Sequence, residues 1–259
     1  MSTVVSRLTK YPVKSLDGLS VDSLSAGEGS FIVGDRQFAL MDDRGKLING
    51  KREALVHRLR FSVQGKECFI SAEGTGTSVL FDPAGAFREA EVFLSDFFNR
   101  HVRILEDPKG NFLDVPVDSA LTLVSSSSLR KVAEWLQIDD LEEVRRRFRP
   151  NVEVDGVEAF WEDCLFGSPG EVVPFRIGEL ILECVGPRER CVVPTRNSFT
   201  GEGNSSIPKK FAELRWSAVP AGSKLHEWQH GYFLCVDCRI SPSSYGGTIR
   251  IGDTLSTRP

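Results

Sequence analysis

One cysteine lies between arginines in a short segment bounded by prolines. The segment reads Gly186-Pro187-Arg188-Glu189-Arg190-Cys191-Val192-Val193-Pro194-Thr195. Arginine side chains close to a thiol favour the thiolate, which is both a nucleophile and a ligand for soft metals. Because proline disfavours a regular helix and a central strand, we expect Cys191 to lie on a shaped loop. Loops on a rigid scaffold are where binding and catalytic groups are commonly carried.

Three further segments place single cations at predicted turns or strand edges. They are Tyr11-Pro12-Val13-Lys14-Ser15, Gly34-Asp35-Arg36 and Arg147-Phe148-Arg149-Pro150-Asn151. The proline after Arg149 predicts an extended backbone there. The planar fork of arginine suits phosphate and other oxyanions, while lysine acts as a point charge. If these segments meet Cys191 in space, they form a site for an anionic ligand.

The other cysteines and the histidines carry no comparable signal. Cys235 and Cys238 form a C-x-x-C pair in an apolar strand pattern, where residues three apart face opposite sides. We expect them to have a structural rather than a chemical role, as we do Cys68, Cys164 and Cys184. The histidines lack the spacing of metal ligands, so no zinc or iron site is predicted. The sequence also lacks the phosphate-binding G-x-x-x-x-G-K-[ST] loop and the G-x-S-x-G motif of serine hydrolases.

Composition narrows the class of protein further. The chain has 259 residues, of which 41% are hydrophobic and 26% charged, as is typical of a globular protein. Its net charge of −4 argues against a general nucleic-acid binder. No apolar run has the length of a membrane span, and the first residues lack the features of a signal peptide. Six cysteines in a chain of this length indicate reduced thiols, and we expect a cytoplasmic protein.

Strand patterns outnumber helix patterns along the chain. The predicted strands are Val4–Tyr11, Gln37–Asp42, Lys46–Ile48, Leu59–Val63, Glu67–Ala72, Asn151–Val154, Glu171–Ile177, Leu180–Val185, Tyr232–Cys238 and Thr248–Ile251. The predicted helices are Arg88–Asn99, Ser125–Gln137 and Asp139–Arg147. Many short strands joined by glycine-containing turns favour a mainly β, barrel-like architecture with small helical insertions.

Five segments together resemble a known family. The three segments with single cations are followed, in order, by Arg190-Cys191 ahead of Thr200-Gly201-Glu202 and by Gly247-Thr248-Ile249-Arg250-Ile251-Gly252-Asp253. In this order they resemble the MOSC (molybdenum cofactor sulfurase C-terminal) family, including its amidoxime-reducing and hydroxylaminopurine-detoxifying members. The resemblance spans nearly the whole chain. It implies an N-terminal MOSC-associated β-barrel domain over residues 1–112, packed on a MOSC domain over residues 113–259.

The resemblance also implies a cofactor and the residues that bind it. The cofactor is molybdenum held by the dithiolene of a pterin, with Cys191 as the protein ligand of the metal and the catalytic residue. The residues implied in cofactor binding are Lys14, Ser15, Arg36, Ser125, Ser126, Arg149, Asn151 and Arg190. From the same resemblance we also expect pyridoxal phosphate binding. Glu189 stands where relatives often have a small or hydroxyl residue, which bears on substrate preference.

The function implied is reduction of N-hydroxylated compounds by a molybdenum-cofactor enzyme. Some relatives continue into a ferredoxin-like iron–sulfur domain, whereas this chain ends at Pro259. We therefore expect electrons to come from a separate reductase or ferredoxin, with no nucleic-acid or membrane partner. Two alternatives remain open at this point. One is a sulfur carrier with a persulfide on Cys191, and the other is a non-catalytic carrier of the molybdenum cofactor.

Overall fold

The computed structural model describes residues 2–110, 112–114 and 119–257. Strands cover more of this part of the chain than helices do, which confirms the mainly β prediction. The strands, numbered in chain order, are β1 (Val4–Lys10), β2 (Leu19–Val21), β3 (Ser23–Gly27), β4 (Phe31–Ile32), β5 (Phe38–Asp42), β6 (Leu47–Ile48), β7 (Leu59–Gln64), β8 (Glu67–Ala72), β9 (Ser78–Phe81), β10 (Val102–Glu106), β11 (Leu121–Ser125), β12 (Val152–Asp155), β13 (Val173–Ile177), β14 (Leu180–Glu189), β15 (Phe233–Ile240), β16 (Thr248–Arg250) and β17 (Leu255–Ser256). The α-helices are α1 (Arg88–Phe98), α2 (Ser126–Leu136), α3 (Leu141–Phe148) and α4 (Ile207–Ser217).

Eight strands form one large mixed sheet in the order β17-β13-β14-β15-β11-β12-β1-β2. The pair β11–β12 is parallel, and the other neighbouring pairs are antiparallel. The first strand of the chain therefore pairs with β12, which follows it by more than half the chain's length. Val5 and Leu8 of β1 lie in the same apolar core as Val154 and Val236. The beginning of the chain thus completes the sheet of the C-terminal half.

Three smaller three-stranded sheets complete the described fold, two within the N-terminal half and one that joins it to β16 near the end of the chain. Their orders are β10-β5-β6, β7-β8-β9 and β16-β3-β4. Glycine-containing turns at Gly45 and Gly65, with φ of 71° and 64°, join β5 to β6 and β7 to β8 as antiparallel hairpins. A second core includes Phe38, Phe61 and Phe81, whose rings meet edge to face. The predicted division at residue 112 stays a prediction.

The predicted helices are confirmed to within a few residues at each end. Ser125 is the N-cap of α2, where its Oγ accepts the N–H of Ser128 at 3.0 Å. Helix α4 has no counterpart among the predictions, because its buried face carries Arg215 together with apolar residues and the charge interrupts the amphipathic pattern. Pro187 lies inside β14, paired with Val236 beside a register shift, so the expectation that it would disfavour a central strand is wrong. A bulge is where a sheet accepts proline.

A buried acidic pair follows β12 on a short 3-10 helix, Trp161–Leu165. The side chain of Glu162 is 2% exposed, and its Oε2 accepts a hydrogen bond from Ser128 Oγ at 2.9 Å. Its Oε1 has no hydrogen-bond partner among the described residues. Burial raises the pKa of Glu162 to about 7, against the lowering effect of the Ser128 hydrogen bond.

We expect Glu162→Gln to reduce the loss of stability at high pH. The folded protein binds the Glu162 proton more tightly than the unfolded chain, whose pKa is 4.5, so the stabilisation is complete below pH 4.5 and disappears as pH rises through 7. Between pH 5 and pH 8 the wild type should lose about 2 kcal/mol more than the variant in urea unfolding. Glu134→Gln, at a side chain 68% exposed, is the control. Equal losses in all three proteins would contradict the assignment.

Candidate functional site

A pocket lies between the N-terminal half, α3 and the loop that follows β14. Its described lining consists of Lys14, Ser15, Arg36, Asn49, Gly50, Lys51, His57, Phe112, Leu113, Asp114, Ser119, Leu121, Thr122, Arg146, Arg147, Phe148, Arg149, Asn151, Arg188, Glu189, Arg190, Cys191 and Val193. Lysine and arginine contribute eight of these residues, and aspartate and glutamate two. A protein with a net charge of −4 thus concentrates cations in one cavity, which favours an anionic ligand.

Most of the predicted site residues meet in this pocket. The segments around Lys14, Arg36, Arg149 and Cys191 come together although they are far apart in the sequence. Ser125 and Ser126 do not line the pocket. Ser125 caps α2, and Ser126 Oγ lies 3.3 Å from Ser6 Oγ. Both serines are buried and bonded within the protein, so their placement gives no support to the expectation that they face the cofactor.

Three of the site residues have backbone conformations in the left-handed region. Ser15, Arg36 and Arg149 have φ of 71°, 47° and 55°. Arg149 is the C-cap of α3, with its N–H donating to Arg145 O at 2.7 Å, so the expectation of an extended backbone is wrong. A left-handed conformation costs a non-glycine residue about 1–2 kcal/mol. Such strain clusters at functional sites, where the surrounding structure maintains it.

Asn151 holds Arg36 in place. Its Oδ1 accepts Arg36 Nη1 at 3.1 Å and the N–H of Thr122 at 3.2 Å, while its Nδ2 donates to Thr9 O at 3.1 Å. Arg36 Nη1 also forms an ion pair with Asp35. The Asn151 amide is 1% exposed and bonded within the protein on both sides. A direct hydrogen bond from Asn151 to a cofactor stays a prediction.

Two arginines in the pocket keep unused hydrogen-bond donors. Arg149 Nη1 donates to Leu16 O at 2.6 Å, and Arg190 Nη2 donates to Phe148 O at 2.6 Å. Arg149 Nη2 and Arg190 Nε are buried without a hydrogen-bond partner, and neither residue forms an ion pair with another described residue. Burial, together with the charge of Arg36, lowers the pKa of Arg149 to about 10. The Arg149 guanidinium group stays charged at neutral pH.

A second group of cations surrounds Asp114. Its carboxylate lies 2.6 Å from Lys14 Nζ, 3.0 Å from Lys51 Nζ and 3.6 Å from Arg188 Nη2. Burial would raise the pKa of Asp114, but the two lysines hold it well below its usual range. Burial lowers the pKa of Lys14, and Asp114 opposes that effect. Lys14 Nζ also donates to Phe112 O at 2.7 Å, so this lysine is held at the pocket wall.

Cys191 lies on a loop, as predicted, between the end of β14 and a 3-10 turn over Val193–Thr195. Its Sγ is partly buried and accepts the N–H of Val193 at 3.5 Å, which places a partial positive charge beside the sulfur. Among the described residues no three His, Cys, Asp or Glu side chains are arranged to hold a metal. Cys191 is the one cysteine among the described lining residues of the pocket.

Several residues of the pocket are not marked by any motif in the sequence. His57 belongs to a 3-10 helix, Ala54–Arg58, without a motif, and reaches the pocket through the fold. Burial lowers its pKa to about 4, so the imidazole is neutral at pH 7. A Cβ on Gly50 would lie 3.0 Å from His57 Nε2 and 3.2 Å from Val193 Cγ2, which shows how closely these groups pack. Glu189 pairs with His230 at 3.1 Å, and its side chain is 73% exposed.

Two solved structures are similar to the chain at low sequence identity. The YUAD protein from Bacillus subtilis is 14% identical, with a TM-score of 0.43, over 98% of this chain and 94% of that chain. A structure described only as a hypothetical protein is 12% identical, with a TM-score of 0.40, over 99% of this chain and 67% of that chain. No curated protein matches the sequence.

Family models match nearly the whole chain. The MOSC N-terminal beta barrel domain matches residues 2–100, and the MOSC domain matches residues 92–256. None of these comparisons supports pyridoxal phosphate binding. No helix in the described residues has the length and apolar character needed to cross a membrane. The five ordered segments and the two family models agree, and the chain belongs to the MOSC family, which is associated with molybdenum cofactor sulfurase-like proteins.

Proposed function

We propose that this protein binds the molybdenum cofactor and reduces N-hydroxylated compounds with electrons from a separate protein. The proposal rests on one observation. Cys191 lines the same cationic pocket as Arg149 and Arg190, each of which has a hydrogen-bond donor without a partner. A buried donor without a partner is costly to leave unsatisfied. An anionic ligand that also carries a soft metal would satisfy both kinds of group at once.

The donor set fits the cofactor. Its phosphate would be held by Lys14, Arg36 and Arg149, with Ser15 at the same wall of the pocket. Cys191 would be the protein ligand of molybdenum, because the protein contributes one sulfur and the pterin dithiolene supplies two more. When bound, the metal supplies the two-electron redox chemistry, while the protein supplies binding and orientation. The residues of the chain would hold the cofactor by its charge, with Cys191 as the ligand of its metal.

The reaction consumes two electrons and two protons for each N–OH group. The N–O bond breaks, the oxygen leaves as water, and the nitrogen compound is released as an amine or amidine. The electrons come from a reductase or ferredoxin, and the protons come from solvent. The Val193 N–H donates a hydrogen bond to the Cys191 sulfur. The imidazole of His57 lines the pocket and is uncharged at neutral pH.

The proposal is tested by measuring molybdenum and pterin in protein from a host that makes the cofactor. We expect about one molybdenum per chain in the wild type and a nearly complete loss in Cys191→Ala, because no other cysteine is among the described lining residues of the pocket. Cys164→Ala is the matched control, since Cys164 is exposed and lies outside the pocket. Elemental analysis and fluorescence of the oxidised pterin are the measurements, followed by amidoxime reduction with a reduced viologen.

Full molybdenum and full activity in Cys191→Ala would show that the mechanism is wrong. Bound cofactor without turnover by any artificial donor would instead identify a non-catalytic carrier. A persulfide on Cys191, detected by alkylation and mass spectrometry in protein without molybdenum, would identify a sulfur carrier.

A further inference from the structure

The ring of Tyr11 lies close to the guanidinium groups of two arginines of the pocket. Arg149 Cζ is 4.1 Å from the ring centroid, and Arg36 Cζ is 4.5 Å from it. Both distances lie within the range in which a guanidinium group is attracted to an aromatic face. Tyr11 itself is 3% exposed and does not line the pocket. It therefore acts on any ligand only through the two arginines.

Hydrogen bonds tie Tyr11 to both arginine segments. Its N–H donates to Asp35 Oδ1 at 2.7 Å, and its carbonyl accepts the N–H of Arg36 at 2.7 Å. Its O–H donates to Pro150 O at 3.1 Å, next to Arg149 in the sequence. The ring is also confined at its edge, where a Cβ on Gly18 would lie 2.5 Å from Tyr11 Cε1. Tyr11 thus has one position, and that position fixes the segments that carry both guanidinium groups.

The ring also offsets part of the electrostatic repulsion between the two buried guanidinium groups. Two buried cations repel each other, and the charge of Arg36 contributes to the lowered pKa of Arg149. An aromatic ring offers a cation a negative face, and Tyr11 opposes the lowering of the Arg149 pKa. Burial raises the pKa of Tyr11, so its O–H stays protonated and remains the donor to Pro150 O.

We propose that Tyr11 is the positioning residue of the anion site, setting the orientation and spacing of Arg36 and Arg149 so that both engage one anionic group. This inference rests on the proposed function, because it requires that the pocket bind a phosphate-bearing ligand. The aromatic faces maintain the geometry, and the hydroxyl contributes less. Phenylalanine at position 11 should therefore preserve the site, whereas an aliphatic residue of similar size should not.

The test measures binding of inorganic phosphate to the full chain purified without cofactor. We expect Tyr11→Phe to bind within about twofold of the wild type and Tyr11→Leu to bind about tenfold more weakly, because both aromatic contacts are lost. Titration calorimetry at low salt gives the affinity. Phe61→Leu in the second core is the control, since it removes a buried ring away from the pocket and should leave phosphate affinity unchanged.

A second variant series separates positioning from simple packing. Fluorinated phenylalanines at position 11 keep the shape of the ring but weaken its negative face, so phosphate affinity should fall stepwise as fluorines are added. A purely structural ring would give the same affinity throughout the series. Unchanged affinity in Tyr11→Leu or across the fluorinated series, with the wild type binding phosphate, overturns the role of Tyr11 and leaves the proposed function standing. Absence of phosphate binding by the wild type overturns both.

Discussion

Replacement of Arg149 by alanine is expected to lower the affinity of the pocket for inorganic phosphate by about 10- to 100-fold. Arg149 contributes a charged fork with one buried donor free, and a charge-assisted hydrogen bond contributes about 1.5–3 kcal/mol. The same change removes a cation that is buried without a carboxylate partner, which is unfavourable in the unliganded protein. We therefore expect weaker phosphate binding with the thermal midpoint unchanged or raised, as occurs when a functional charge buried at a cost to stability is removed.

Two further variants make the Arg149 result specific. Arg149→Lys keeps the charge but loses the planar fork, so its affinity should lie between those of the wild type and the alanine variant. Arg130→Ala removes a surface arginine that is 58% exposed and lies outside the pocket, and should leave phosphate affinity unchanged at equal salt. Equal losses in Arg149→Ala and Arg130→Ala would mean that only the net charge of the protein matters.

Replacement of Arg215 by alanine is expected to lower the free energy of unfolding by about 3–5 kcal/mol. Arg215 and Asp163 form an ion pair with Nη2–O distances of 2.5 and 2.6 Å, and their side chains are 2% and 3% exposed. The guanidinium group also lies over Phe160, with Cζ 4.1 Å from the ring centroid. Without Arg215, Asp163 keeps one hydrogen bond from Ser223 Oγ at 3.1 Å, and its buried charge has no counter-ion.

Urea unfolding of single and double variants measures the Arg215 effect. Asp163→Leu combined with Arg215→Met removes both charges and fills most of the space, so this double variant should be more stable than Arg215→Ala. Additive effects of the two positions would contradict coupling through the ion pair. Phosphate affinity provides a second check. Neither residue lines the pocket, so any folded variant should bind as the wild type does.

Those residues of the site could be predicted whose type and neighbours in the sequence already indicate a chemical role. Cys191 beside Arg190, Lys14 after a proline and Arg36 before a strand are features of short segments, and the fold brings them together. Asp114 was not predictable in this way, since it meets Lys14 across 100 residues of chain. That contact depends on tertiary packing, which local pattern does not encode.

The errors in the sequence-based predictions have specific physical causes. Arg149 is left-handed rather than extended because it ends α3, and Pro150 accommodates that termination. Pro187 enters a central strand because a register shift relieves the missing donor. Helix α4 was not predicted because Arg215, which pairs with Asp163, places a charge on its buried face. Each error marks a place where a distant contact outweighs the preference of the local sequence.

Because β1 pairs with β12 in the large sheet, β1 is synthesised long before the strand that it pairs with. Tyr11, just after β1, contacts Pro150 at a sequence separation of 139 residues. At about 5–20 residues per second, synthesis leaves β1 without its partner β12 for roughly 7–30 s. The barrel-like N-terminal half has its own core and can condense during that interval, whereas β1 has only β2 beside it and its other edge stays unpaired. The anion site, which needs Tyr11 beside Arg149, can therefore assemble only late in the emergence of the chain from the ribosome.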